Sequence, residues 1–222
     1  FLLYVINQSH RKLENLIIME MYYSDLEECR RLAEQGDPYA QLELAEAYHE
    51  GKLIEKNIEA AIEWYEKSAE GGENFAHIEL GRIYEFGDGV EQDYMKAIEH
   101  YEKAAYTSPL FHEPLYRLAL FYLNGYGYEQ NYEYAAQMFE VLSNADDDIV
   151  PEAKYQYGRC LENGIGVDKD LDQAMHWYEL AAKEGVEEAT KCNNAKLYVD
   201  EGTYDLVQEY GNEYLESNTF DK

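Results

Sequence analysis

A ten-residue frame recurs four times along this 222-residue chain: GKLIEKNIEA from Gly51, GDGVEQDYMK from Gly87, GYGYEQNYEY from Gly125 and GIGVDKDLDQ from Gly164. A glycine-rich phosphate loop is needed once per site, whereas a turn between two helices is needed once per structural repeat. The small or proline residues that open the helix before each frame set the period. Ala40, Ala76, Pro114, Ala153 and Ala189 stand 36, 38, 39 and 36 residues apart. The extra residues fall only between units, in TSPLFHEP and SNADDDIVPE. Insertions confined to one set of loops are expected of stacked helix pairs.

Each unit reads as two antiparallel helices, A and B. In helix A a small residue, Ala45, Gly81, Ala119 or Gly158, is preceded by Leu44, Leu80, Leu118 or Tyr157 and followed three positions on by Tyr48, Tyr84, Tyr122 or Leu161. Helix B opens on Asn57, Asp93, Asn131 or Asp170, side chains that can cap the free N–H groups of a first turn. It then places Ala61 and Tyr65, Ala97 and Tyr101, Ala135 and Phe139, and Ala174 and Tyr178 at i, i+4 spacing, which makes a packing stripe. The predicted organisation is a cap helix over 22–36, with Ser24 and Glu27 as a capping box. Repeats follow at about 37–72, 73–111, 112–149 and 150–185, then a degenerate pair over 186–217 and a tail over 218–222. Residues 1–20 precede the first repeat-like sequence and read as an extension.

Charge narrows the partner. Eighteen Lys and Arg against 46 Asp and Glu give a net charge of −28, which repels nucleic acid phosphates and anionic lipid and suits a basic protein. The opening FLLYVI is too short to span a membrane, and three cysteines, Cys29, Cys160 and Cys192, form no disulfide framework. The expectation is a cytoplasmic protein without membrane insertion.

The stretches LGRIYEFGDGVEQDYMKAIEHYEKAA and YGRCLENGIGVDKDLDQAMHWYELAAKEG resemble the Sel-one-like repeat, a relative of the tetratricopeptide repeat whose pattern is A, LG, Y, GxGV, D, KA, WY, AA and G. The resemblance covers roughly residues 22 to 200. The first unit departs from it, since GKLIEKN lacks the second glycine, and the third departs most. What the resemblance implies is an all-α solenoid of helix pairs in a right-handed superhelix, acting as an adaptor or scaffold in signalling or assembly; the family occurs in bacteria and eukaryotes, and a bacterial setting is expected here. Some secreted members of the family resemble β-lactamases, which keeps a hydrolase as a remote alternative.

No candidate catalytic, cofactor or metal site survives comparison with the repeat columns. Asp168, Asp170 and Asp172 mimic a calcium loop, but Gln173 stands where such a loop needs glycine, and Asp170 reads as a cap. His100 falls in the column of Trp64, Met138 and Trp177, a packing position, and no HExxH spacing occurs. SHRK at residues 9–12 matches SxxK without companion motifs. Cys160 shares a column with Ala47, Ile83 and Phe121 and is expected to be buried and inert.

Positions that vary in polarity between repeats mark where a partner could bind. Two before, one after, four after and five after the small residue of helix A, the columns mix Glu43, Glu46, His49 and Glu50 with Glu79, Arg82, Glu85 and Phe86, and with Arg117, Leu120, Leu123, Arg159 and Glu162. All are expected to face outward, with Arg82, Phe86, Arg117, Leu120, Leu123 and Arg159 as contact candidates. The alternative is that the arginines bridge to nearby glutamates. In the third-repeat loop Tyr128 and Tyr132 share columns with apolar residues and are expected in the core, whereas Tyr126 and Tyr134 are expected as exposed contacts. The reading is a non-enzymatic adaptor for a basic protein partner, or an acidic immunity protein that neutralises a basic toxin or enzyme.

Overall fold

The computed structural model describes residues 26–107, 112–145 and 151–192, and all regular structure among them is α-helical. The chain divides into two compact units, Phe1–Pro109 and Leu110–Lys222. The first holds α1 (26–34), α2 (Pro38–Glu50), α3 (Ile58–Glu70), α4 (Asn74–Phe86) and α5 (Tyr94–Thr107). The second holds α6 (His112–Asn124), α7 (Tyr132–Ser143), α8 (Pro151–Asn163), α9 (Leu171–Lys183) and α10 (187–192). Helices A and B of the four repeats are thus α2/α3, α4/α5, α6/α7 and α8/α9. The Ser24 cap, the extension 1–20 and the C-terminal pair beyond residue 192 lie outside the described residues.

The predicted caps of helix B form, and Asp37 caps α2 in the same way. Asp37, Asn57, Asp93, Asn131 and Asp170 each accept a hydrogen bond from the backbone N–H three residues on, at 2.8, 3.0, 3.1, 3.0 and 2.9 Å. The same residue also closes the turn. The backbone N–H groups of Asn57, Asp93, Asn131 and Asp170 donate to the carbonyls of Tyr48, Tyr84, Tyr122 and Leu161 at 2.9 to 3.0 Å. One side chain therefore starts helix B while its own N–H ties that start to the end of helix A.

Between these points the chain turns through two left-handed residues. The first is Gly51, Gly87, Gly125 or Gly164, with φ between 66 and 74°. The second is Gly89, Gly127 or Gly166, and in the first repeat Leu53 holds the same conformation at φ 67°. The loop GKLIEKN is thus the same turn with one side chain in a region that L-residues disfavour. A Cβ on Gly89 would lie 2.6 Å from Ile58, and one on Gly166 would lie 2.1 Å from the Tyr132 carbonyl oxygen. Ile58 and Tyr132 are the first residues of α3 and α7, so within each unit the loop of one repeat rests on the start of helix B of the repeat before.

Helix B of each repeat supplies one fully buried ring. Tyr65, Tyr101, Phe139 and Tyr178 are at most 1% exposed, and they seat against the small residue of helix A. A Cβ added to Gly81 would stand 2.5 Å from the Tyr101 ring, and one on Gly158 would stand 2.7 Å from Tyr178. Truncating such a ring costs about 3 to 5 kcal/mol, through lost burial and the cavity left behind. Cap helix α1 joins through Leu26 and Ala33, which pack with Ala40 and Leu44 of α2.

The hydroxyls of these tyrosines define a second layer. Tyr101 Oη donates to Glu85 at 2.6 Å, Tyr178 Oη donates to Glu162 at 2.8 Å, and Tyr65 Oη lies 3.4 Å from His49 Nδ1. Each pair is separated by 16 residues. In the third repeat the same spacing joins Phe139 to Leu123, both buried in one cluster. The polar partner is present where helix B has a phenol and is leucine where it has none. A buried phenol without an acceptor would forfeit its hydration, and a leucine opposite a phenyl ring needs no partner.

This pairing corrects three expectations. Leu123 is 4% exposed and Glu85 8% exposed, so neither faces outward, and the His49 side chain is only 19% exposed. Their column varies in polarity because it answers helix B, not solvent. Tyr132, expected in the core, is 46% exposed. The loop of the next repeat packs on its backbone carbonyl, whereas the smaller Ile58 in the same column is buried.

Candidate protein-interaction surface

The helix A stripe that remains outward differs between the two units. In the first unit Glu43, Glu46 and Glu50 follow one another on α2, and all three are exposed. The Glu46 carboxyl is raised above its ordinary value by burial and by the negative charges of Glu79, Glu50 and Glu43. On α4, Arg82 donates to Glu79 at 2.9 Å, and Phe86 is 59% exposed. The other repeats place Glu50, Asn124 and Asn163 in the column of Phe86. A largely exposed phenyl ring at a position that is polar in the other repeats stands out from the repeat frame.

In the second unit the arginines bridge within their own helices. Arg117 lies 3.9 Å from Glu113. Arg159 donates to Gln156 at 3.5 Å, and its guanidinium lies 6.0 Å from the Tyr155 ring centre. Leu120 is half-buried and packs against the core of its unit. Of the three apolar candidates Phe86, Leu120 and Leu123, only Phe86 is well exposed.

The third-repeat loop builds an aromatic cluster. Tyr122 of α6 stacks on Tyr128, with ring centres 4.3 Å apart and planes 7° from parallel. Tyr134 meets Tyr122 edge-on at 4.8 Å, and Tyr126 lies at an angle to Phe121 at 6.3 Å. Tyr126 remains 43% and Tyr134 45% exposed. Tyr128 is half-buried through its stack, so the loop is both packed and presented.

The groups weighed for chemistry have structural roles. Asp170 accepts from the backbone and side chain of Gln173, and these hydrogen bonds hold its carboxyl below the ordinary range. Cys160 is 2% exposed, and burial pushes its thiol up to about 11, far from a reactive thiolate. His77 Nδ1 lies 3.1 Å from His100 Nδ1, with Tyr84 stacked on His100 at 5.9 Å. Burial lowers the basicity of both rings, His100 to about 4. Among the described residues no group of three or more His, Cys, Asp or Glu side chains is arranged to hold a metal ion. Nor is any helix there long and apolar enough to cross a membrane.

A Sel1 repeat profile matches residues 38–73, 74–106, 115–147 and 151–186. The chain belongs to the Sel1 repeat family. Two solved structures extend the likeness. A protective antigen present in uropathogenic Escherichia coli strains and displaying an SLR fold is 28% identical, with a TM-score of 0.71 over 79% of this chain and 36% of its own. The present chain therefore spans about a third of that antigen. A Sel1 repeat protein from Oxalobacter formigenes is 29% identical, with a TM-score of 0.67 over 75% of this chain and 67% of its own. A search of functionally curated proteins returns no match. Sel1 repeat proteins serve in general as scaffolds for protein–protein interaction, and this chain has their all-α solenoid fold.

Proposed function

We propose that the chain is a non-enzymatic interaction module that binds a basic protein partner through two patches, one in each unit. The first lies on the helix A face around Arg82 and Phe86, beside the glutamates of α2. The second comprises the third-repeat loop with Tyr126 and Tyr134, together with the α6 and α8 positions around Arg117 and Arg159. The observation that carries this reading is Phe86, 59% exposed in a column that the other repeats fill with Glu50, Asn124 and Asn163. Large aromatic side chains presented on a rigid frame are favoured contact residues, because little entropy is lost when they are covered. The net charge of −28 supports the basic character of the partner.

The test has two steps. Proteins captured on the immobilised chain are identified by mass spectrometry, and the partner is then cross-linked to the chain. Cross-links that cluster on α4 near Phe86 and on the loop from Gly125 to Asn131 support the proposal. Cross-links confined to helix B surfaces, or turnover of an ester or lactam substrate lost on a single Ser, His or Asp substitution, would replace it.

A further inference from the structure

Helix A gives way to glycine in all four repeats, and the residue before that glycine is Glu50, Phe86, Asn124 or Asn163. The third and fourth repeats thus carry the two Asn-Gly steps of the chain. Asparagine before glycine is open to a reaction of the chain with itself. The glycine nitrogen, unshielded by a Cβ, attacks the side-chain carbonyl carbon of the asparagine. An N–Cγ bond forms, the Cγ–Nδ2 bond breaks, and ammonia leaves with the proton that the backbone nitrogen loses. Water then opens the cyclic imide, at Cγ to give aspartate or at the main-chain carbonyl to give isoaspartate.

Folding holds both asparagines back. Asn124 Nδ2 donates to the Leu120 carbonyl at 2.8 Å and Asn163 Nδ2 to that of Arg159 at 3.0 Å. The reaction therefore waits for the last turn of helix A to open. The two turns are fastened differently. In the third repeat Gln130 Nε2 donates to the Leu123 carbonyl at 2.8 Å, as Gln92 Nε2 does to that of Glu85 at 2.7 Å in the second. This bond ties the approach to helix B to the last turn of helix A. In the fourth repeat the same column holds Lys169, an exposed side chain with no amide to make the tie. Asn163 is exposed where Asn124 is half-buried. A Cβ on Gly164 would lie 3.6 Å from its nearest neighbour, against 3.3 Å on Gly125, so the fourth turn is also the looser one.

We propose that Asn163 is a site of spontaneous deamidation, attacked by the Gly164 nitrogen, and that Asn124 is its protected counterpart. An aspartate at 163 loses the donor to Arg159 and puts a carboxylate at the negative end of the α8 dipole. An isoaspartate adds a carbon to the main chain of a turn so closely seated that a Cβ on Gly166 would lie 2.1 Å from the Tyr132 carbonyl oxygen. Either product weakens the seat of the fourth-repeat loop on α7.

The test is incubation of the full chain at mildly alkaline pH, followed by trypsin digestion in heavy-oxygen water, which marks any deamidation during the digest. Fragmentation mass spectrometry counts aspartate and isoaspartate at 163 in the peptide 160–169 and at 124 in the peptide 118–154. Asn163 converts about 2- to 10-fold faster than Asn124, the factor that one hydrogen bond gives to the opening of a turn. In urea the two rates converge. Lys169→Gln, which installs the glutamine of the second and third repeats at an exposed position, slows Asn163 by a similar factor, and Gln130→Lys speeds Asn124. Equal rates in the folded chain, a ratio that persists in urea, or a rate at Asn163 unmoved by Lys169→Gln would overturn the proposal. So would an Asn163 that stays intact while the urea-unfolded chain converts.

Discussion

The pairing between the helix B phenol and its acceptor can be broken and restored in the second repeat. Tyr101 is fully buried, Glu85 is 8% exposed, and the bond between them is 2.6 Å long. Tyr101→Phe removes a donor to a buried carboxylate, a change of about 1.5 to 3 kcal/mol for a hydrogen bond to a charged group. Glu85→Leu leaves the phenol facing a leucine, and an unsatisfied buried hydroxyl costs about 1 to 3 kcal/mol. The double variant reproduces the Phe139 and Leu123 pair that the third repeat already holds. It should lie within about 1 kcal/mol of the wild type, giving a coupling energy of at least about 1.5 kcal/mol. Urea denaturation followed by circular dichroism gives all four stabilities, with equal slopes as the check that the same structure unfolds in each. Additive single effects, with coupling below about 0.5 kcal/mol, would refute the idea that the two columns vary together for this reason.

Two glycines separate strain from space. Gly164 and Gly166 have φ of 69 and 71°, but a Cβ would lie 3.6 Å from its nearest neighbour at the first and 2.1 Å from a carbonyl oxygen at the second. Gly164→Ala should therefore cost about 1 to 2 kcal/mol of backbone strain, and Gly166→Ala about 3 kcal/mol or more, as the loop is also pushed off α7; thermal unfolding ranks them. The His77 and His100 pair makes stability depend on pH. With the His100 ring lowered from 6.5 to about 4 in the folded state, the unfolded chain binds the extra proton first, so stability is full above pH 6.5 and falls as pH drops toward 4. After allowance for partial solvent screening the loss is about 1 to 3 kcal/mol. It should be smaller in the double variant His77→Leu, His100→Met, which installs the third-repeat residues, when both proteins are denatured across pH 4 to 8.

The sequence shows most plainly whatever recurs for a single physical reason. Asn57, Asp93, Asn131 and Asp170 are legible because a cap must be a short polar side chain at a fixed distance before the packing stripe. Leu123 and Glu85 were misplaced because a column that changes polarity looks like a solvent-facing one. The signal that resolves them was present as the 16-residue partnership between Tyr and His or Glu, and between Phe and Leu. Tyr132 could not be read within its own repeat, since burial of that column depends on how the next loop meets it. Ring contacts such as Tyr134 on Tyr122 follow from side-chain direction, which column comparison does not carry. Phe86 was legible as exposed because its three counterparts are polar.

The central claim is that the partner is held by residues the repeat frame does not need. Replacing Phe86 with asparagine, the residue in that column of the third and fourth repeats, tests it directly when affinity for the captured partner and stability are measured on one preparation. The account predicts an unfolding free energy within about 0.5 kcal/mol of the wild type, as for other surface changes, and binding weaker by about 5-fold or more, as for a contact aromatic. Unchanged affinity at unchanged stability would contradict it.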